Sequence, residues 1–363
     1  MDSCHVSRII RTGRCAGLPA PELWTWDLKE EDHGSLRDQP RPWTGLDTAM
    51  SPPRLSASEF LDLYQRLKQT SRWGAADRRG ALNYISEADV VAAASDVWRG
   101  RAVSLGAPVE DSVAPDNPEP CLHQMTRSPA GTVQPDGPGA PGLSFAMDRF
   151  AMNVHGNVDS HIDALSHVVF DGLLYNGISA QAVTATRATE LSIDVAGGGI
   201  VGRGLLLDIP RVRGVRWLEP GDHVTADDLA AAETAQDVHI GQGDLLFVRV
   251  GHRRRRNELG AWDAARARAG LHPTALELLA ERQIAALGSD GNNDTAASAV
   301  EGVGFPVHVL AINALGLHLL DYLNLEDAVA VCENLRRWSF LCVIAPLRLR
   351  WGTGSPVNPI AIF

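Results

Sequence analysis

The densest chemistry in the chain lies in "VHGNVDSHIDALSHVVFDGLLYNG", residues 154–177, where His155, Asp159, His161, Asp163 and His167 fall within thirteen positions. In an extended strand, side chains two apart share a face, so His161 and Asp163 project together. A turn after Asp163 would bring His167 back toward the same point. Imidazole and carboxylate are the donors a catalytic Zn2+ or Mn2+ takes while keeping a position open for water. Such an ion brings water toward a neutral pKa, and an unligated His nearby can shuttle the proton. An H-x-D pair alone is a weak signal, and a lone His is ordinarily a satisfied core or surface residue. Three imidazoles interleaved with two carboxylates and flanked by glycine point instead to metal or acid-base chemistry.

Other residues carry less. His318 sits on an apolar stretch and reads as a core histidine. His123, in a Pro-rich segment, reads equally as a substrate contact or a surface residue. Trp73 and Tyr175, near glycines, either line a pocket for a planar substrate or pack on a sheet. Asp290, in "GSDGNND", has the setting of a carboxylate that orients a ligand His, or of an Asx turn that Asn292, Asn293 and Asp294 complete. "GTGSPVNP" lacks the strand–GxxxxGK[ST]–helix context of a phosphate loop, and Ser160 and Ser166 sit in no nucleophile elbow.

The elements that must position these residues alternate between helix and strand. Ser58 is placed to N-cap a helix with Phe60, Leu61, Tyr64 and Leu67 on one face, and Ser86-Glu-Ala-Asp89 resembles a capping box for a helix ending near Gly100. "RAVSLGAPV", "IVGRGLLLDI", "GDLLFVRVG", "IAALGSD", "FLCVIAPLRL" and "PVNPIAIF" read as short buried strands. Residues 273–286 read as helix, "PVHVLAINALGLHLLDYL" as helix then strand, and 111–142 as a long loop over the site. The pattern is α/β in one layered domain, 51–363. Residues 1–50 lack either periodicity and read as a disordered extension, with Met50 as a plausible start.

Composition narrows the class. The 363 residues carry a net charge of −11, which disfavours a nucleic-acid partner, and the basic run Arg253–Arg256 reads as a solvated loop. Five cysteines without CxxC pairing fit a reducing cytoplasm better than a disulfide framework. No stretch reaches the roughly 18 apolar residues of a membrane span.

With these motifs in place, "HIDALSH" resembles the H-x-G-T-H-x-D-x-P-x-H signature of the cyclase family, which includes bacterial kynurenine formamidase and isatin hydrolase. "WGAADRRGALNYI", "DGLLYNG", "GDLLFVRVG", "LGSDGNND", "HVLAINALGLHLLDYLNLEDA" and "APLRLRWGTGSPVNPIAIF" extend the resemblance over about residues 70–363. The resemblance implies a swivelling β/β/α fold, a mixed curved sheet with flanking helices, and a homodimer or homotetramer. It makes His161 and Asp163 metal ligands, with Asp163 able to bridge two metals, and His167 the proton donor/acceptor. His308 matches a later ligand, and Asp321 stands where the family has Glu. Asn157 replaces the signature's first His, the nearest imidazole being His155, and Leu165 replaces its Pro. One divalent metal, Zn2+ or Mn2+, is therefore expected, and Asn157 argues against a second. The implied activity is hydrolysis of a C–N bond in a small amide, formamide or lactam. The alternatives are a metal-assisted cyclase or dehydratase, and a non-catalytic relative with a degenerate site.

Overall fold

A computed structural model describes residues 54–68, 73–128 and 145–363. The expectation for residues 1–50 lies outside them. The strands, in chain order, are β1 (Ala102–Ser104), β2 (Leu122–Arg127), β3 (Met147–Ala151), β4 (His161–Asp163), β5 (Ile200–Asp208), β6 (His223–Val224) and β7 (Leu245–Arg249). They continue as β8 (Gly270–Leu271), β9 (Ala286–Ser289), β10 (His318–Asp321), β11 (Ser339–Ile344), β12 (Gly354–Pro356) and β13 (Ile360–Ile362). The helices are α1 (Ala57–Lys68), α2 (Glu87–Ser95), α3 (Ile209–Arg213), α4 (Ala226–Gln236), α5 (His252–Leu259), α6 (Ala275–Arg282), α7 (Pro306–His308) and α8 (Glu326–Leu335). Among the described residues, no helix is long and apolar enough to cross a membrane.

Nine strands form one curled mixed sheet in the order β1-β13-β11-β5-β7-β9-β10-β4-β12. Its centre, β5-β7-β9-β10, is parallel, and the strands on either side pair antiparallel. The central runs are apolar on both faces because both faces are covered. Leu205 and Leu207 of β5 enter a core with α1, α4 and α6, while Leu206 enters a second core with Phe247, Phe340 and Phe363. Each fully buried Leu or Phe contributes about 1.5–3 kcal/mol relative to exposure. This is the mixed curved sheet with flanking helices that the sequence resemblance implies.

Local signals hold with shifts. Helix α1 buries Phe60, Leu63, Tyr64 and Leu67, an i, i+3, i+4, i+7 stripe that takes Leu63 in place of the expected Leu61, which is exposed. Its cap, however, is Ser56, whose Oγ accepts from the Glu59 N–H while the Glu59 carboxylate accepts from the Ser56 N–H. Helix α2 has the Ser86/Asp89 capping box but stops at Ser95, short of Gly100. The segment 111–142 is not all loop, since β2 pairs with β3 in a two-stranded ribbon; residues 129–142 lie outside the description.

The basic run is corrected more deeply. Arg253–Arg256 lie in the first turns of α5, and Arg253 is only 5% exposed. Arg254 pairs with Glu258, Arg255 with Glu219, and Arg256 with both Glu110 and Asp116. Acidic partners distant in sequence turn a run that looks solvated into an anchored helix.

Strand β4 is held between β10 and β12, with Asp321 opposite His161 and Gly354 opposite Asp163. Helix α7 runs directly into a π-helix over Val309–Leu315. These elements position the site.

Candidate metal centre

Side chains directly opposite in an antiparallel pair share a face. The β4–β10 register therefore puts His161 beside Asp321, and Asp163 lies two residues along the same face. His161 donates Nδ1–H to the Asp159 carbonyl at 2.9 Å, leaving Nε2 toward the cluster, 3.7 Å from Asp163 Oδ1. Helix α7 brings His308 from the other side, with Nε2 3.4 Å from both Asp163 Oδ2 and Asp321 Oδ2. His155 reaches in from the loop before β4, with Nδ1 2.8 Å from Asp163 Oδ1 and Nε2 3.1 Å from Thr353 Oγ1. A side chain at position 354 would collide with it, since a Cβ there would lie 2.7 Å from His155 Cε1; glycine is what admits the ring. His167 stacks on His155 with centroids 3.6 Å apart.

Two groups of donors converge, His155/His161/Asp163 and Asp163/His308/Asp321, each with its ligand atoms within 4.8 Å of one another. Asp163 is common to both. Its Oδ2 is buried with no hydrogen-bond partner among the described residues. A buried anionic oxygen without a donor is costly, and a cation among these oxygens and nitrogens would complete it. The donor set fits a divalent metal.

The electrostatics agree. Burial alone would raise Asp163, but His167, His155, His308 and His161 around it outweigh burial and hold its carboxyl well below the usual range. Burial opposes a proton on His308, but Asp321, Asp163 and Asp294 prevail and raise it well above an ordinary imidazole. His167 is pushed down to about 4, first by burial and then by the neighbouring imidazoles, against the pull of Asp163. It is therefore neutral near pH 7 and able to accept a proton.

Carboxylates and amides around the cluster orient the donors. Asp294 takes the Nδ1–H of His308 at 2.6 Å and caps the start of α7 through the N–H groups of Val307 and His308 at 2.7 and 2.9 Å. Asn293 donates to Asp321 Oδ1 from its side chain at 2.6 Å, and Asn292 donates to Oδ2. His318 donates Nδ1–H to the Asp163 carbonyl at 2.7 Å, holding β4 rather than joining the cluster. The cavity in front measures about 600 Å3, with apolar walls that include Val168, Phe170, Val303, Phe305 and Val309.

The sequence-predicted residues divide accordingly. His155, His161, Asp163, His308 and Asp321 come together, with His167 beside them. Asn157 lines the cavity, but its Oδ1 accepts from the Tyr322 hydroxyl at 3.1 Å, and it is His155 that supplies the imidazole. Four residues lie away from the cluster. Asp290 orients no histidine: it takes the N–H groups of Val250, Gly251 and Arg253 at the start of α5. Burial raises its carboxyl to about 6. The orienting role falls to Asp294. Trp73 packs edge-on against Tyr84, away from the cavity. Tyr175 is buried, its hydroxyl on Asp77 and its ring filling the space over Gly316. His123 pairs with Asp148 on the exposed β2–β3 ribbon.

The architecture and site define a class: an α/β protein with a curled sheet that presents a His/Asp cluster suited to a divalent metal. A family model described as "Putative cyclase" matches residues 68–293, and the chain belongs to the cyclase family. The crystal structure of a protein titled "a novel cyclase" is 29% identical, covers 83% of this chain and 99% of its own, and superposes with a TM-score of 0.72. Isatin hydrolase A from Ralstonia solanacearum is 21% identical, covering 76% of this chain and 97% of its own, with a TM-score of 0.51. An isatin hydrolase bound to the product analogue thioisatinate is 19% identical, covering 77% and 99%, with a TM-score of 0.50. At these identities the two isatin hydrolases attest the fold alone. A search of curated proteins finds no match.

Proposed function

We propose that this chain is a metal-dependent hydrolase that cleaves a C–N bond in a small amide, formamide or lactam. The observation that carries the reading is the buried Asp163 Oδ2, which has no hydrogen bond and lies 3.4 Å from His308 Nε2, at the meeting point of four imidazole and carboxylate donors that border a cavity with apolar walls. His161, Asp163 and His308 would hold one Zn2+ or Mn2+, with His155 and Asp321 as further donors. When bound, such an ion supplies Lewis acidity to a carbonyl and to water.

The chain's own residues do the rest. The apolar walls receive the organic body of the substrate and exclude bulk water. His167, neutral near pH 7, takes a proton from the attacking water at a ring nitrogen. The water oxygen bonds to the carbonyl carbon, the C–N bond breaks with its electron pair on nitrogen, and His167 passes its proton there. Asp294 fixes the His308 tautomer, and Asn292 and Asn293 fix the Asp321 carboxylate, so the donors are oriented before substrate arrives.

The test is mass spectrometry of the products of Zn2+- or Mn2+-reconstituted protein given an aryl formamide and a neutral aryl lactam. The expected result is gain of one water, lost in His161→Ala. Metal-loaded protein that adds no water to either class, or that instead forms a ring or expels water, contradicts the reading. Assembly as a homodimer or homotetramer belongs to the same proposal and is read by light scattering.

A further inference from the structure

The ladder between β4 and β10 has two rungs, Leu320 with Ile162 and Asp321 with His161, so two donors of the centre sit on its last rung. Beyond that rung the chain turns away: Tyr322 has φ +54, and Ser160 precedes β4. Past this rung each chain bonds elsewhere, Tyr322 N–H to the Gly291 carbonyl and the Ser160 carbonyl to Val357 N–H, so no backbone bond joins the two chains directly there. Two side chains take over. Ser160 Oγ donates to the Tyr322 carbonyl at 2.7 Å. Arg253, from the first turn of α5, donates through Nη2 to that same carbonyl at 3.0 Å and to the Val158 carbonyl at 2.7 Å. Val158 lies three residues before His161, and Tyr322 directly follows Asp321.

We infer that Arg253 is a positioning residue for the metal centre, an added rung that fixes His161 relative to Asp321 by fastening the chain before β4 to the chain after β10. The inference rests on the metal reading given above. Its support is the cost of the arrangement. Arg253 is 5% exposed, its Nε has no partner, and its nearest carboxylate, Glu110, is 3.6 Å away and already held by Arg256. A buried guanidinium spent on two neutral carbonyls is a poor source of stability and a good source of fixed geometry. The helix that carries it is itself docked, since Asp290 takes three N–H groups at its start. His252 packs edge-on against Tyr322, with centroids 5.4 Å apart.

The test measures Zn2+ affinity by competition with a chromogenic chelator, together with the melting temperature of the metal-free protein. The variants are Arg253→Met, Arg253→Lys and Arg249→Met. Arg249 is the control: it is as buried as Arg253, but it pairs with Asp208 and Glu326 and touches neither donor strand end. Arg253→Met is expected to weaken Zn2+ binding by about 10–100-fold, the range for losing an outer-shell support. Arg253→Lys keeps the charge but shortens the reach, and is expected to lose a smaller factor. Arg249→Met should lower the melting temperature while Zn2+ affinity stays at the wild-type value. Wild-type affinity in Arg253→Met overturns the inference, as does a loss in Arg249→Met that matches it at equal destabilisation. If Arg253→Met does not fold, Arg253→Lys decides: affinity equal to wild type overturns the inference, and a loss absent from Arg249→Met supports it. A wild-type chain that binds no Zn2+ overturns the metal reading itself, a result distinct from any of these.

Discussion

Asp294→Asn changes one atom in the support of His308, and its consequence can be worked through in detail. The carboxylate accepts three N–H groups, from Val307, from the His308 backbone and from His308 Nδ1. An amide of the same shape offers one acceptor oxygen. The donors divide between the two oxygens: Val307 N–H is on Oδ1, and both His308 donors are on Oδ2. With the amide oxygen in the Oδ1 place, the NH2 group faces His308 Nδ1, and the imidazole moves its proton to Nε2, the atom that faces Asp163 and Asp321 at 3.4 Å, so that nitrogen can no longer ligate. With the oxygen in the Oδ2 place, both His308 donors are kept and only the Val307 N–H is opposed; Asp294→Leu, with no acceptor in either place, removes that escape. Loss of an orienting carboxylate of this kind weakens metal binding by about 10–100-fold, or about 1.4–2.8 kcal/mol. The buried donor left unsatisfied costs about 1–3 kcal/mol of stability. Chelator competition reads the first effect, and thermal melting of the metal-free protein reads the second. Wild-type Zn2+ affinity in a folded Asp294→Leu protein would refute the claim that Asp294 sets the tautomer of His308.

Three further outcomes follow from the same geometry. His167→Ala should keep its metal and lower kcat by about a hundredfold; because His167 is already neutral above its value of about 4, the variant should not shift the midpoint of the pH–rate rise expected between about pH 6 and 8. Gly354→Ala would place a Cβ 2.6 Å from the Ile162 carbonyl and 2.7 Å from the His155 ring, so metal affinity and melting temperature should both fall, as titration and melting would show. In the metal-free protein, the raised pKa of His308 contributes stability that is fully present below about pH 6.5 and lost as pH climbs through its folded value; Zn2+ competes with that proton, so Zn2+ affinity should increase with pH until the folded value of His308 is passed and level off beyond it, measured by titration at several pH values.

Much of this was legible in the chain because it is local. His161 and Asp163 announce themselves by strand spacing, and the apolar runs of β5, β7 and β9 mark strands covered on both faces. What was not legible is set by contacts distant in sequence. Asp294 lies fourteen residues before His308, and "GNND" reads as a turn until α7 folds back onto it. The density of Asx residues after a buried strand was the available signal. Asp290 has the flanking glycines of an orienting group, yet Gly291 makes room for His252 of α5 and Gly288 for Phe247 and Leu323. Asn157 looked like a lost ligand because the signature is read by spacing, whereas the loop before β4 brings His155 two residues earlier into contact with Asp163. Arg253 looked solvated because nothing in "HRRRRNEL" shows that one of four arginines points inward to two carbonyls.

The central claim is that the His/Asp cluster binds a divalent metal and that this metal is required for function. Elemental analysis after Zn2+ or Mn2+ loading and dialysis, on wild type, His161→Ala and Asp163→Ala, tests it most directly. The account predicts at least one bound ion per chain in wild type, and loss of both metal and turnover in each variant, since each removes a donor no neighbour replaces. Metal-free wild-type protein under loading conditions, or full turnover in His161→Ala, would contradict it.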